Sequence, residues 1–84
     1  MTCAKLERLL ERDGWHKGRA SKHGVVYRKT FVVDGRAETR VTVIPTKKHK
    51  RNKPIPRGTL REILGPKQTG LGGDGLRRLI DLHG

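Results

Sequence analysis

Large side chains are scarce in this 84-residue sequence. Hydrophobic residues account for 32% of the chain and aromatic residues for 4%, with one Trp, one Tyr and one Phe. A domain of roughly this length buries only about 60% of the surface that its unfolded chain exposes. We therefore expect one domain with a thin core, which argues against a large enclosed active-site cavity.

Cysteine and long apolar runs are also nearly missing. Cys3 is the one cysteine, which excludes an internal disulfide and is typical of a protein in the reducing cytoplasm. The longest apolar runs, at 25–27 and 31–33, are three residues long. Because such runs are too short for a membrane span or a secretory signal, we expect a cytoplasmic protein without a membrane partner.

The sequence lacks the spacing of a metal or nucleotide-cofactor site. Its four histidines (His16, His23, His49 and His83) show no paired ligand spacing, and the eight acids are scattered rather than clustered as a two-metal nuclease requires. The glycine-rich string at 70–75 matches a dinucleotide-binding pattern, but no strand is expected before it, so we interpret it as a linker. We expect neither a metal nor another cofactor.

Positive charge, by contrast, is abundant. Twenty Lys and Arg residues against eight Asp and Glu residues give a formal charge of +12. Two basic stretches, 17–29 and 47–61, contain no acid. Such an excess predicts a polyanionic partner: a nucleic acid, an anionic membrane surface or an acidic protein. RNA is the partner that we favour.

Apolar spacing predicts two main helices. The first spans 2–13 and ends at Gly14, and the second begins at residue 56 or 57 and ends at Gly65-Pro66. A strand over 15–20 is expected between the first helix and the hairpin. A flexible glycine-rich connection, 67–75, precedes a short last helix, 76–83. The apolar helix positions are Cys3, Leu6, Leu9, Leu10, Leu60, Ile63 and Leu64.

A β-hairpin is expected over 25–45. Asp34-Gly35 separates two β-prone runs and favours a two-residue type I′ turn. With that turn, facing residues have numbers that sum to 69, and one face is expected to form the core. The facing pairs on that expected core face are Val26 with Val43, Arg28 with Val41, and Val32 with Ala37.

The other face of the hairpin is expected to stay open. Tyr27 and Phe31 project there and could stack on bases, although packing at the edge of a small sheet explains them equally well. Lys29 lies opposite Arg40 on this face, a like-charge pair that a phosphate would offset.

These elements predict an α+β fold in a single domain, 1–84, with its core in 1–66. The order is α-β-β-β-α plus a short C-terminal helix. Both main helices would cover one face of a three-stranded antiparallel sheet in a two-layer sandwich.

His23 is the candidate catalytic residue. It precedes the second strand within the first basic stretch, and extrapolated alternation places it on the open face. An imidazole exchanges protons near neutral pH, and RNA supplies its own nucleophile in the 2′-hydroxyl. A histidine in a basic loop is also commonly a solvated surface residue. If cleavage occurs, His49 and water are the two candidates for the second proton-transfer group.

Further basic residues are expected to contact phosphates, although a solvated flexible loop would also explain the second basic stretch. The residues expected to bind RNA are Lys22, Arg28, Lys29, Arg40, Lys47, Lys48, His49, Lys50 and Arg51.

Four segments together resemble the HicA mRNA interferase toxins of toxin–antitoxin systems. A shorter match, Thr69-Gly70-Leu71, follows them. The four segments are Leu6-x-x-Leu-Leu-Glu-x-Asp-Gly-Trp15, Ser21-Lys22-His23-Gly24, Val43-Ile44-Pro45, and the run Pro-Arg-Gly-Thr-Leu-Arg-Glu-Ile-Leu at 56–64.

The resemblance implies a double-stranded-RNA-binding-domain-like fold, mRNA cleavage that inhibits translation, His23 as the catalytic residue, and neutralisation by a HicB-type antitoxin. Many members carry Gly-Ser where this chain has Ser21-Lys22, and the hairpin and the glycine-rich part are longer here than in minimal members. Two other hypotheses remain open: a noncatalytic RNA-binding module of the same fold, and a basic partner of an acidic protein.

Overall fold

The computed structural model describes residues 1–46 and 52–83, which form an α+β fold. The three strands make an antiparallel sheet in the order β1-β2-β3, with helices before and after it. The elements are α1 (Cys3–Arg12), β1 (His16–Ala20), β2 (Val25–Val33), β3 (Arg36–Ile44), α2 (Arg57–Leu64) and α3 (Gly72–His83).

Helix α1 begins and ends as its sequence predicts. The Thr2 hydroxyl accepts a hydrogen bond from the Lys5 backbone N–H at 3.1 Å, which satisfies one of the donors left unpaired at a helix start. Gly14 follows the helix with φ +93°, a conformation that costs glycine little.

The hairpin register is confirmed. Val26 pairs with Val43, and in every other pair of β2 and β3 the two residue numbers also sum to 69. Asp34 (φ +50°) and Gly35 (φ +78°) both adopt positive φ, as a type I′ turn requires.

The prediction of which hairpin face is buried was wrong. Tyr27 and Ile44 are fully buried in the core beneath the helices, whereas Val32 is 80% exposed and Val41 47% exposed on the outer face. Both faces carry apolar residues, so alternation alone did not distinguish them. Tyrosine and isoleucine present more apolar area than the valines and alanine of the other face, and their burial removes more of it from water.

The last helix of the C-terminal part is longer than expected. Helix α2 has the predicted bounds, but α3 begins at Gly72, four residues before the expected start. The connection between the helices is held by its own hydrogen bonds: the Thr69 backbone N–H and hydroxyl both donate to the Ile63 carbonyl oxygen, at 3.0 and 2.7 Å. The Gly70 N–H donates to the Gly65 carbonyl at 2.8 Å.

Helix α3 also contacts α1, through the Arg12 guanidinium and the backbone carbonyl of His83. Within residues 1–46 and 52–83, no helix has the length and apolar character that crossing a membrane requires.

Candidate active site at the edge of the sheet

The loop that carries His23 is a compact turn. The Ser21 hydroxyl accepts hydrogen bonds from the backbone N–H groups of His23 (3.3 Å) and Gly24 (3.2 Å). The Ser21 N–H donates in turn to the Gly24 carbonyl at 2.5 Å. These bonds fix the backbone on both sides of His23 and leave its side chain exposed.

Gly24 brings this turn against the end of β3. A β-carbon at this position would lie 1.9 Å from the Ile44 carbonyl oxygen and 2.8 Å from the Thr46 nitrogen. No real side chain fits in that space, so only glycine permits the close approach of the two backbones. The position of His23 beside β3 therefore depends on Gly24.

His23 borders a groove of about 500 Å³ at the outer edge of β3. Such a volume is in the range of small-ligand sites. The walls come from the turn with His23, from the end of β3, and from α2 with the connection after it, so tertiary packing assembles the groove from three separate segments. Its other lining residues are Val41, Thr42, Val43, Pro45, Thr59, Glu62, Ile63 and Gln68.

Two polar side chains of the groove are joined by a hydrogen bond. The buried Thr42 hydroxyl donates to Gln68 Oε1 at 2.6 Å. Because this bond uses the amide oxygen, the Gln68 amide nitrogen is oriented as a donor. A donor at this place suits an anionic oxygen such as that of a phosphate.

Helix α2 contributes Thr59 and Glu62, which are three residues apart and therefore lie on one helix face. Glu62 and Gln68 also border an adjoining groove, which is flanked by the cations Arg61 and Lys67. Glu62 is the one carboxylate that borders either groove among the described residues.

Sequence reasoning missed these α2 residues. The Gly-Thr-Leu-x-x-Ile-Leu run predicted the helix, and the three-residue spacing of Thr59 and Glu62 was visible in it. That spacing places the two residues on one face but does not indicate that this face lies beside His23.

Two of the expected phosphate-binding residues are exposed. Lys22 precedes His23 in the same turn, and Arg28 lies on the outer sheet face opposite Val41 and His16. Lys47, Lys48, His49, Lys50 and Arg51 lie outside the described residues, so their contribution stays a prediction.

Lys29 and Arg40 lie opposite each other, as expected, but on the face that the helices cover. The Lys29 ammonium donates to the Asp13 backbone carbonyl oxygen at 2.5 Å and to the Asp13 carboxylate at 3.3 Å. The same ammonium lies 5.0 Å from the centre of the Phe31 ring. Arg40 donates to the carbonyl oxygens of Pro66 (2.7 Å) and Gln68 (3.4 Å). These contacts offset the like-charge pairing and engage both cations within the protein.

The aromatic residues do not form an open stacking platform, which corrects the expected open face. Tyr27 is fully buried, and its hydroxyl lies 3.2 Å from Glu7 and 3.1 Å from Glu11. Burial, followed by the negative charge of these carboxylates, raises the Tyr27 pKa well above its ordinary value. Phe31 is half-buried and meets Trp15 edge to face, with ring centres 6.0 Å apart.

In the described part of the chain, no three or more His, Cys, Asp or Glu residues are grouped so that they could hold a metal ion.

Comparison of the chain with protein-family models, with curated proteins and with solved structures finds no significant match.

Proposed function

We propose that this protein is a metal-independent endoribonuclease that cleaves mRNA and acts as the toxin of a type II toxin–antitoxin system. The observation that carries the proposal is the setting of His23. Its backbone is fixed by Ser21 and Gly24, its side chain is exposed at a groove, and the imidazole makes no hydrogen bond or ion pair with any described residue. An imidazole in this setting is available to a substrate.

The chemistry needs few groups because RNA carries its own nucleophile. The 2′-hydroxyl oxygen attacks the adjacent phosphorus, one group removes the hydroxyl proton, and another protonates the departing 5′-oxygen. His23 performs one of these transfers. Lys22 and the Gln68 amide stabilise the charge that develops on the phosphate.

The HicA resemblance supports this proposal through the position of its segments. The segment with His23 and the segment that forms α2 border the same groove, although they are far apart in the sequence. The element order is compatible with a double-stranded-RNA-binding-domain-like fold, which we propose for this chain. A HicB-type antitoxin would inhibit the protein by covering the groove in the cytoplasm.

Cleavage by the purified chain in EDTA tests the proposal. We expect the wild-type protein to cut single-stranded RNA and to leave 2′,3′-cyclic phosphate and 5′-hydroxyl ends. The His23→Ala variant should lose about 10²- to 10⁴-fold in rate, the usual contribution of a positioned acid or base. RNA with 2′-deoxyribose at the cleaved position should stay intact.

The same experiment separates the alternative function. RNA that is bound by the wild-type protein but stays intact would overturn the nuclease proposal and favour a noncatalytic RNA-binding module. Cutting at an unchanged rate by His23→Ala would overturn the role of His23. The His16→Ala variant is the matched control, since it removes an exposed imidazole that does not border the groove.

A further inference from the structure

We propose that Glu62 is the second proton-transfer group of this site, and that it accepts the 2′-hydroxyl proton while His23 protonates the departing oxygen. The proposal rests on the ribonuclease function proposed above. The sequence left His49 and water as candidates for this role. We choose Glu62 instead because it borders the same groove as His23.

The backbone that carries Glu62 is firmly held. The next residue, Ile63, is 2% exposed in the core, and its carbonyl oxygen accepts hydrogen bonds from the Thr69 N–H and hydroxyl. Glu62 itself is exposed. Its carboxylate forms no ion pair or side-chain hydrogen bond with a described residue. The held backbone fixes where the Glu62 side chain begins, and its unengaged carboxylate is free to accept a proton from a substrate hydroxyl.

The charges around Glu62 suit a phosphate substrate. Arg61 and Lys67 flank the adjoining groove that Glu62 also borders, and His23 faces the first groove from the turn before β2. The cations attract the phosphate diester, and the carboxylate beside them is available to the neighbouring 2′-hydroxyl. In the part of the chain that the structure describes, these are the charged or titratable groups bordering the two grooves.

The roles follow from ordinary acid–base chemistry. Carboxylates are deprotonated at neutral pH, whereas imidazoles exist in both forms there. A bond forms between the 2′-oxygen and phosphorus while the bond from phosphorus to the 5′-oxygen breaks. The 2′-hydroxyl proton moves to Glu62, and the His23 imidazolium gives its proton to the 5′-oxygen. The products are a 2′,3′-cyclic phosphate and a 5′-hydroxyl end, and both side chains regain their starting forms by exchange with solvent.

The test is the pH dependence of RNA cleavage by the full chain in EDTA, measured as kcat and KM. The wild-type profile of kcat should be bell-shaped, with an acidic limb where the general base is protonated and a basic limb where the general acid has lost its proton. In the Glu62→Gln variant, kcat should fall at least about 10²-fold and the acidic limb should disappear, while KM changes little. The Glu62→Asp variant should retain the limb with a reduced rate, because it keeps a carboxylate in a less favourable position.

Glu38→Gln is the matched control because it neutralises an exposed carboxylate of β3 near the hairpin turn, outside the groove. It should keep the wild-type profile. If Glu62→Gln retains its rate and acidic limb, or if Glu38→Gln loses them equally, the Glu62 proposal is overturned while the ribonuclease function stands. If the wild-type chain does not cut RNA at all, the ribonuclease function itself is overturned, and the role of Glu62 with it. Thermal unfolding of each variant confirms that the fold is intact.

Discussion

At the scale of single residues, Gly24 connects the fold to the proposed chemistry. Its importance comes from the contact between its backbone and the end of β3, where a β-carbon would overlap the Ile44 carbonyl oxygen. A substitution here leaves His23 in the sequence but moves it relative to the groove. Substitution of Gly24 therefore tests the position of His23 without removing its imidazole.

We expect Gly24→Ala to destabilise the protein by about 1–3 kcal/mol, the usual cost of overpacking. We also expect the rate of RNA cleavage to fall by more than the decrease in the folded fraction of the protein explains. Urea unfolding and cleavage rates measured on the same samples check both effects. Gly73→Ala is the control, since a β-carbon there contacts nothing within 4 Å. It should be neutral or stabilise α3 by up to about 1 kcal/mol. Equal cleavage rates for the two variants would contradict the positioning role.

Sequence reasoning identified His23 but not the residues around it. A histidine among cations before a strand is visible in the sequence, and so is the helix that carries Glu62. Their proximity is not, because it depends on the packing of α2 beside β3, two elements that residues 45–56 separate in the chain. The same limit explains Lys29 and Arg40, whose carbonyl and carboxylate partners come from segments far from them in the sequence.

At the scale of elements, the contact between α1 and the sheet contains an unusual polar group. The Tyr27 hydroxyl on β2 donates to the Glu7 and Glu11 carboxylates of α1, one turn apart, at the covered face. Ionisation of Tyr27 would place a third negative charge there. Its raised pKa means that the folded protein holds the phenol proton more tightly than the unfolded chain does.

This difference predicts how stability depends on pH. The Tyr27 contribution is fully present below about pH 10, the ordinary tyrosine value, and is lost as the pH rises above it, because only the unfolded chain then releases the proton easily. Urea unfolding at pH 8 should show Tyr27→Phe destabilised by about 1–3 kcal/mol through the lost hydrogen bonds.

At pH 11 the difference between wild type and Tyr27→Phe should be smaller. Lysines titrate in both proteins, so their effect cancels in the comparison. Tyr27 is the only tyrosine, so phenolate absorbance follows it directly. A difference that grows from pH 8 to pH 11 would contradict the proposed hydrogen-bonded state.

At the scale of the whole molecule, the formal charge of +12 should govern affinity for RNA. Each phosphate neutralised by a cation releases a counterion, which makes binding to single strands weaken with salt by a log–log slope of about −0.7 per contact. Of the described residues expected to bind RNA, the exposed Lys22 and Arg28 are available for such contacts, whereas Lys29 and Arg40 are engaged within the protein.

Binding of the His23→Ala variant to RNA should therefore weaken steeply between low and moderate salt. Adding Lys22→Ala, beside His23, should lower the magnitude of the log–log slope by about 0.7, the value for one phosphate contact, whereas adding Arg77→Ala should not, because Arg77 borders neither groove. Fluorescence anisotropy across a salt series measures both slopes. Binding that barely depends on salt would instead favour the hypothesis of an acidic protein partner with RNA irrelevant.

The sequence by itself determined the order of the elements, the glycine that ends α1, the type I′ turn and the hairpin register. These features depend on residues close together in the chain, namely glycines at positive φ and apolar spacing. The composition likewise determined the net charge. Such local signals are readable because each acts over one helical turn or one β-turn.

Only the tertiary structure decided which sheet face is buried and what surrounds His23. Both hairpin faces carry apolar residues, and the choice between them depends on which side chains fill the space beneath α1 and α2. Tyr27 and Ile44 fill that space, which leaves the valine face exposed. The groove likewise exists only because Gly24 lets the turn approach β3 and because the buried Ile63 holds α2 beside that strand.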